Sequence, residues 1–400
     1  MLPHAIYFET LASITDESSQ EWKTTTAGLF VLRLVDDWLE FGPHIVATDI
    51  TGLNAVRSAI EQISEGNPIR SLLSRITHLL ESAEIASSVS VAPGLLAYAQ
   101  ALQYDGQFKL EQDVLETLHT SAKKVDDSET VFHTAIRLGV VLRNAGDFAG
   151  AESYHVVALN TATAIGDRKS ELRARLAQAK TIAIRGDIGR ADILCAGIVE
   201  EAETHKVGGI IGPALHDRAY MAYTRNDFQG LVRFAHQALK HLETPLERDR
   251  AMGDIAAGFS RLGHVAAARD TNLILASCAQ EQLTRWHATI NLMYSAVQER
   301  QEDAFELYRA ALGCVELPPR TDIFYHRASA EGFRLFGQTE RAQEALQHAY
   351  EIAEKYQMQQ LVFEIEEEMS EQPVGSWSPE IDVIADAMGE KLQFDLLATV

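Results

Sequence analysis

The segment 132–165, FHTAIRLGVVLRNAGDFAGAESYHVVALNTATAI, decides the fold of this chain. Apolar residues recur at helical spacing on both sides of the short turn Gly146-Asp147-Phe148. The glycine accommodates the left-handed backbone with which many helices end. Gly139, seven residues before Gly146, and Ala151, five residues after it, are small, so two helices can approach closely there. The segment therefore predicts a helical hairpin.

The same turn recurs along the chain at an almost constant period. Equivalent turn residues stand at Gly106, Gly146, Gly186, Asn226, Gly263, Glu299 and Gly337, with spacings of 40, 40, 40, 37, 36 and 38 residues. A small residue lies seven positions before the turn in six of the seven units and five positions after it in five of them. A period of this length predicts an array of hairpins, each of which buries an apolar face against the next.

This pattern resembles the tetratricopeptide repeat over roughly residues 86 to 366, and the segment 132–165 is the best match. The resemblance implies an all-α fold, a right-handed α–α superhelix of helical hairpins whose first helices line a concave groove. Because the period exceeds the 34 residues of that family, a HEAT-like array with a period of about 40 to 47 is the alternative architecture. The Gly-Asp turns and paired small residues favour the tetratricopeptide-like solution.

Three segments are expected from the positions of the repeats. Residues 1–85 form a helical N-terminal cap or dimerisation region, which makes a homodimer one expectation for the protein. Residues 86–366 form about seven repeats. Residues 367–400 contain a linker and an amphipathic helix at 379–392, which is expected to cover the last repeat because terminal repeats of such arrays need a cap.

Charge and composition exclude several partners. The net charge of −22 opposes unspecific binding to nucleic acid and to anionic membranes. No stretch approaches the roughly 20 apolar residues that a membrane span requires. The three cysteines Cys195, Cys278 and Cys314 are far apart and show neither disulfide nor metal-ligand spacing. A cytoplasmic protein that binds neither nucleic acid nor membrane is expected.

No catalytic or cofactor motif is convincing. The run Asp36-Asp37-Trp38-Leu39-Glu40 is superficially similar to the aspartate-rich motif with which terpenoid synthases hold magnesium. Those enzymes need a second metal motif, and the only candidate, Asn226-Asp227, already serves as a repeat turn. There is no phosphate loop, and the histidines lack the spacing of a metal-binding pair on a helix. We expect no catalytic residue, metal or cofactor, and a magnesium enzyme using Asp36, Asp37 and Glu40 is a remote alternative.

The first helix of each repeat carries the candidate binding residues. Positions 13, 10, 6 and 3 before the turn lie along one stripe of a helix, and in the family that this pattern resembles, the stripe lines the groove. The candidates on or beside this stripe are Arg143, Arg173, Lys180, His216, Tyr220, Tyr223, Arg250, Trp286, Arg327 and Arg334. Salt bridges between neighbouring helices are the competing interpretation of these charged residues.

A basic and aromatic groove suits an extended acidic peptide segment or a free C-terminal carboxylate, through charge-assisted bonds from arginine and contacts with tyrosine. The sequence therefore predicts a non-enzymatic scaffold or adaptor that binds another protein in this groove. The alternative function is a sensor or regulator of a bacterial signalling pathway, controlled by a small molecule or a signal peptide.

Overall fold

A computed structural model describes residues 3–42, 50–82, 88–356 and 358–370, which form nineteen helices and no strand. The all-helical prediction is confirmed for these residues. The linker and helix expected within 372–392 lie outside the described residues.

The helices have the following bounds: α1 Ala5–Ser13, α2 Gln20–Phe41, α3 Ile50–Glu61, α4 Pro68–Glu81, α5 Ser88–Tyr104, α6 Phe108–Lys124, α7 Ser128–Asn144, α8 Phe148–Ile165, α9 Arg168–Ile184, α10 Ile188–His205, α11 Ile211–Thr224, α12 Phe228–Leu239, α13 Pro245–Arg261, α14 Val265–Cys278, α15 Gln282–Gln298, α16 Glu302–Gly313, α17 Pro319–Leu335, α18 Thr339–Lys355 and α19 Gln359–Ser370. From α5 onward, odd-numbered helices are the first and even-numbered helices the second of each hairpin. The chain consists of two compact units, Met1–Thr181 and Ile182–Val400.

In the first unit, the N-terminal helices share one hydrophobic core with the first repeats. Buried residues of α2, such as Leu32, belong to the same cluster as Leu95 of α5 and Leu115 of α6. Helix α1 joins this core through Tyr7, whose hydroxyl lies 3.1 Å from that of Tyr98. The boundary predicted at residue 85 therefore does not coincide with a break in the core.

The turns between paired helices follow the predicted period. The residues Gly106, Gly146, Gly186, Asn226, Gly263 and Gly337 all have positive φ angles, between 58° and 102°. The remaining prediction, Glu299, is wrong by one residue, because Arg300 has the positive φ of 56° while Glu299 has a φ of −81°. Neither is glycine or asparagine, so the sequence alone could not distinguish them. The last three spacings become 37 residues each.

An aspartate next to the turn starts the second helix of several hairpins. The Asp147 carboxylate accepts a hydrogen bond from the Gly150 backbone N–H at 2.9 Å, and the Asp227 carboxylate does the same for Gly230 at 2.8 Å. Such caps satisfy backbone donors that have no partner within the helix. The Gly-Asp pair thus ends one helix and begins the next, which explains why it recurs.

Small residues allow the helices to pack closely, but their partners are not all small. A Cβ atom added to Gly139 would lie 2.2 Å from the His155 ring of the same hairpin. A Cβ added to Gly332 would lie 2.2 Å from the ring of Phe305 in the preceding repeat. Phe305 stands five residues after the corrected turn Arg300, where most units have alanine. A large side chain on one helix is therefore matched by a glycine on an adjacent helix.

Candidate functional site

The predicted stripe in the first unit contains one buried and two more accessible cations. Arg143 is only 7% exposed, whereas the stripe predicts a side chain in solvent. Burial, together with the nearby charge of Arg143, lowers the pKa of His155 to about 4. Arg143 therefore belongs to the packing around His155 as well as to the stripe.

Arg173 and Lys180 are better placed to meet a ligand. They lie seven residues, or two turns, apart on α9, so they share one face of that helix. Arg173 is exposed and Lys180 is half-buried. Burial and the charge of Arg173 lower the pKa of His133 on the neighbouring helix α7. Within the described ranges, no carboxylate pairs with Arg173.

In the second unit, four of the predicted cationic or ionisable residues are bound within the fold. His216 Nε2 lies 2.6 Å from Asp254 Oδ2, and Arg250 donates to Glu281 at 3.3 Å. Arg327 donates to Glu364 at 3.0 Å and to Glu368, and Arg334 donates to the Glu368 carbonyl oxygen at 2.6 Å. The competing interpretation, salt bridges within the fold, describes His216, Arg250 and Arg327, whereas Arg334 is bound to a backbone carbonyl.

Most of these partners lie about one repeat further along the chain. Asp254 follows His216 by 38 residues, and Glu364 follows Arg327 by 37. Sequence reasoning missed these pairs because it considered the residues within each stripe and not the acidic residues one repeat away. The available signal was an acidic residue one period after a stripe cation.

Two tyrosines of α11 remain accessible on the stripe of the second unit. Tyr220 is 38% exposed and Tyr223 is 40% exposed. They are three residues apart and therefore neighbours on the helix surface. The Tyr223 ring packs edge-on against Phe228, with ring centroids 6.0 Å apart, which holds one of the two rings in place. An exposed aromatic pair of this kind offers both apolar contact area and hydroxyl groups to a ligand.

The corrected turn at Arg300 changes the stripe of α15. Trp286 is partly buried and packs against the core of the second unit. The position six residues before Arg300 is Tyr294, which sequence reasoning missed. Burial raises the pKa of Tyr294, and its phenol also senses the charges of Glu331, Arg327 and Glu368. Tyr294 therefore lies within electrostatic range of charged groups on α17 and α19.

The aspartate-rich run lies at a separate cleft in the first unit. Asp36 is 2.9 Å from His4 Nε2, and Asp113 is 2.5 Å from His4 Nδ1. Burial disfavours the charged imidazole, but bonds to Asp113 and Asp36 raise the pKa of His4 to about 9. Asp36 and Glu40 line a cleft of about 510 Å³ beside this triad. The Asp36 carboxylate therefore already forms an ion pair with the His4 side chain.

Across the described ranges, no three His, Cys, Asp or Glu side chains surround a common metal position as they stand. This finding gives no support to the magnesium-enzyme alternative. Among the same residues, no helix is both long enough and apolar enough to cross a lipid bilayer.

Comparisons with known proteins give the fold. No family model matches the sequence, and no curated protein matches it either. A Rap protein complexed with competence and sporulation factor is similar in structure, with a TM-score of 0.52 at 12% identity over 84% of this chain and 99% of that one. The Rap conjugation gene regulator of the plasmid pLS20, in complex with the Phr* peptide, has a TM-score of 0.51 at 10% identity over 84% and 96%.

The apo form of the quorum sensor NprR from B. thuringiensis is also similar, with a TM-score of 0.46 at 14% identity over 87% of this chain and 92% of that one. The two Rap structures match nearly the full length of their own chains and most of this one. The chain therefore has a tetratricopeptide-like fold of helical repeats, as the turn spacing predicts.

Proposed function

We propose that the protein is a non-enzymatic interaction protein that binds an extended peptide segment along the first helices of its repeats. The observation that carries the proposal is the accessible aromatic pair Tyr220 and Tyr223, which occupies stripe positions of a first helix. Similarity to one structure solved with competence and sporulation factor and another solved with the Phr* peptide supports a peptide as the ligand class.

The charge of the ligand is proposed from the first unit. Arg173 and Lys180 share one face of α9, and an acidic peptide would form charge-assisted hydrogen bonds with them. In the second unit, by contrast, Arg250, Arg327 and Arg334 already have acceptors inside the protein. An acidic group would have to replace these acceptors. We therefore assign recognition of negative charge to the face of α9 that carries Lys180 and Arg173, since Arg173 is exposed and pairs with no carboxylate in the described ranges.

Control of a signalling pathway by the bound peptide is the second candidate function. Similarity to the Rap conjugation gene regulator supports it. A regulator differs from a simple scaffold because ligand binding changes its affinity for another protein. The two functions share the peptide site. They differ in whether peptide binding changes the affinity of the protein for another protein.

The peptide site is tested by fluorescence polarisation of labelled synthetic peptides of five to ten residues and varied charge. The full chain is compared with the double variant Tyr220→Ala/Tyr223→Ala. The control is Leu273→Ala on α14, because Leu273 is 39% exposed and lies on a second helix. We expect the tyrosine variant to weaken binding at least tenfold and the control to leave it unchanged. Equal binding by all three proteins would remove the proposed site.

A further inference from the structure

The cleft of about 510 Å³ in the first unit combines charged, hydroxyl and apolar side chains. It is lined by the residues that precede α1, by the C-terminal part of α2 and by α6. A cleft of this size is within the range of small-molecule sites. The charged residues that line it are His4, Asp36, Glu40, Asp113, Glu116 and Lys124.

The lining of this cleft has an excess of negative charge. Four carboxylates line it together with only two cationic side chains, those of His4 and Lys124. Although burial disfavours the charged imidazole, bonds to Asp113 and Asp36 raise the pKa of His4 to about 9, so the ring is charged at neutral pH. Two negative charges therefore remain uncompensated, and they favour a ligand with positive charge.

His4 does not use all of the hydrogen-bonding capacity of the carboxylates. Its ring contacts one oxygen of Asp36 at 2.9 Å and one oxygen of Asp113 at 2.5 Å, and each carboxylate can accept at its second oxygen. The His4 side chain is only 3% exposed, whereas those of Asp36 and Asp113 are 36% and 20% exposed. Within the described ranges, Glu40 forms neither a hydrogen bond nor an ion pair. The histidine is thus buried behind carboxylates that remain accessible.

A buried hydroxyl group gives evidence that does not depend on charge. Ser121 is 4% exposed and lines the cleft, but its hydroxyl makes no hydrogen bond within the described part of the chain. Thr117, one turn earlier on α6, donates to the Asp113 carbonyl oxygen at 2.9 Å. Buried polar groups ordinarily have a partner. The Ser121 hydroxyl is therefore available to a molecule in the cleft, and its oxygen can accept a bond from an ammonium group.

We propose that the cleft binds a linear aliphatic diamine, whose two ammonium groups match the two uncompensated charges. Glu40 on α2 and Glu116 on α6 accept charge-assisted hydrogen bonds from the ammonium groups, and Ser121 accepts a further one. Leu39, which also lines the cleft, contacts the methylene chain. A short diamine occupies only part of about 510 Å³, so water can accompany it.

The competing explanation is that the acidic side chains only hold His4 in place. It accounts for Asp36 and Asp113, but Glu40 and Glu116 have no hydrogen bond to His4 in the described structure. A pair of lysine side chains from another protein offers the same ammonium chemistry, and the experiment separates it from a small diamine. Diamine binding is independent of peptide binding, because Tyr220 and Tyr223 belong to the second unit.

The experiment titrates the full-length protein with putrescine at low salt by isothermal titration calorimetry. The double variant Glu40→Gln/Glu116→Gln removes two charges from the cleft without shortening the side chains. Glu9→Gln/Glu65→Gln is the matched control, because both glutamates are exposed residues of the first unit outside the lining. Butylamine measures the contribution of the second charge. A short peptide with two adjacent lysines and blocked ends represents the protein ligand.

We expect one putrescine per chain and a Kd at least tenfold weaker in the cleft variant than in the control. Butylamine should bind the unaltered protein at least tenfold more weakly than putrescine, and Ser121→Ala should weaken putrescine binding severalfold. No putrescine binding, or equal affinity in the two double variants, would overturn the proposal. Tighter binding of the lysine peptide than of putrescine would overturn the assignment to a small diamine. Circular dichroism verifies that the variants keep the helical fold.

Discussion

At two helix–helix contacts, here called joints, an aromatic ring of one helix packs against a glycine of another. The two joints differ in the chemistry of the ring. In the first unit His155 packs against Gly139, and in the second unit Phe305 packs against Gly332. Both rings are completely buried. The apolar joint contributes only packing, whereas the histidine joint also depends on which protonation state the ring holds. The stability of a ring–glycine contact is therefore independent of pH when the ring is phenylalanine and depends on pH when the ring is histidine.

The state of His155 follows from its hydrogen bonds. The Thr181 hydroxyl donates to the Ala177 carbonyl oxygen at 3.0 Å, so it accepts the bond from His155 Nε2 at 3.2 Å. The proton therefore resides on Nε2, and Nδ1 carries a buried lone pair without a hydrogen-bond partner in the described part of the chain. Protonation of Nδ1 would place a charge there, beside Arg143. His119 likewise donates to a threonine hydroxyl, that of Thr134 at 2.8 Å, but through Nδ1, so that Nε2 is the buried nitrogen without a hydrogen-bond partner among the described residues.

The largest expected effect comes from filling either joint. Gly139→Leu and Gly332→Leu should each lower the free energy of unfolding by about 3 kcal/mol, because the new side chain overlaps a ring that cannot move freely. Gly253→Ala is the control, since a Cβ atom there meets no neighbour; it should raise stability by about 0.5 to 1 kcal/mol. Urea unfolding at neutral pH measures all three variants, and an unchanged free energy of unfolding in both leucine variants would mean that the joints are loosely packed.

Acid should distinguish the two joints. The folded-state pKa of about 4 for His155 lies below its ordinary value of 6.5, so the contribution of the neutral ring is complete above pH 6.5 and declines as the pH falls toward 4. We expect a loss of roughly 3 kcal/mol at pH 4. His155→Phe, which copies the Phe305 joint, should reduce this decline. Urea titrations between pH 4 and 7.5 provide the measurement, and an identical pH dependence in the variant would refute the role of His155.

The His4 triad should respond to pH in the opposite direction. Its folded-state pKa of about 9 exceeds 6.5, so its contribution is complete below pH 6.5 and is lost as the pH rises through 9. Asp36→Asn should cost about 1 kcal/mol at pH 6 and less at pH 10, because the Asp36 side chain is partly exposed. Thermal unfolding at the two pH values tests this, and Asp37→Asn is the control, as Asp37 is an exposed neighbour. A loss that grows with pH would contradict the assignment.

The repeats could be predicted from sequence because their signals are local. Glycine or asparagine marks six of the seven turns, since these residues tolerate positive φ at little cost. The prediction of the remaining turn was wrong by one residue, because Arg300 adopts the same conformation without such a marker. Whether a stripe residue faces solvent is not a local property. Arg143 is buried by its tertiary neighbours, and Arg327 is paired with residues 37 and 41 positions away.

The smallest effect on stability is expected from Arg173 and Lys180, the cations proposed to bind the ligand. Arg173→Glu combined with Lys180→Glu should change the free energy of unfolding by under about 1 kcal/mol, because accessible charges contribute little. The matched control is Lys109→Glu combined with Arg190→Glu, which has the same change in charge at exposed positions of second helices. Urea unfolding of both double variants checks this, and a larger loss in the first would show that these cations hold the fold together.

The most direct test of peptide recognition measures the affinity of these two double variants for an acidic synthetic peptide at increasing salt. Fluorescence polarisation should show that the unaltered protein and the Lys109/Arg190 control bind the peptide and lose affinity as salt rises, because screening acts over about 8 to 10 Å. The Arg173/Lys180 variant should bind at least tenfold more weakly at low salt, since the local potential is reversed. Equal affinity of the two variants, independent of salt, would contradict the claim that the first helices read an acidic peptide.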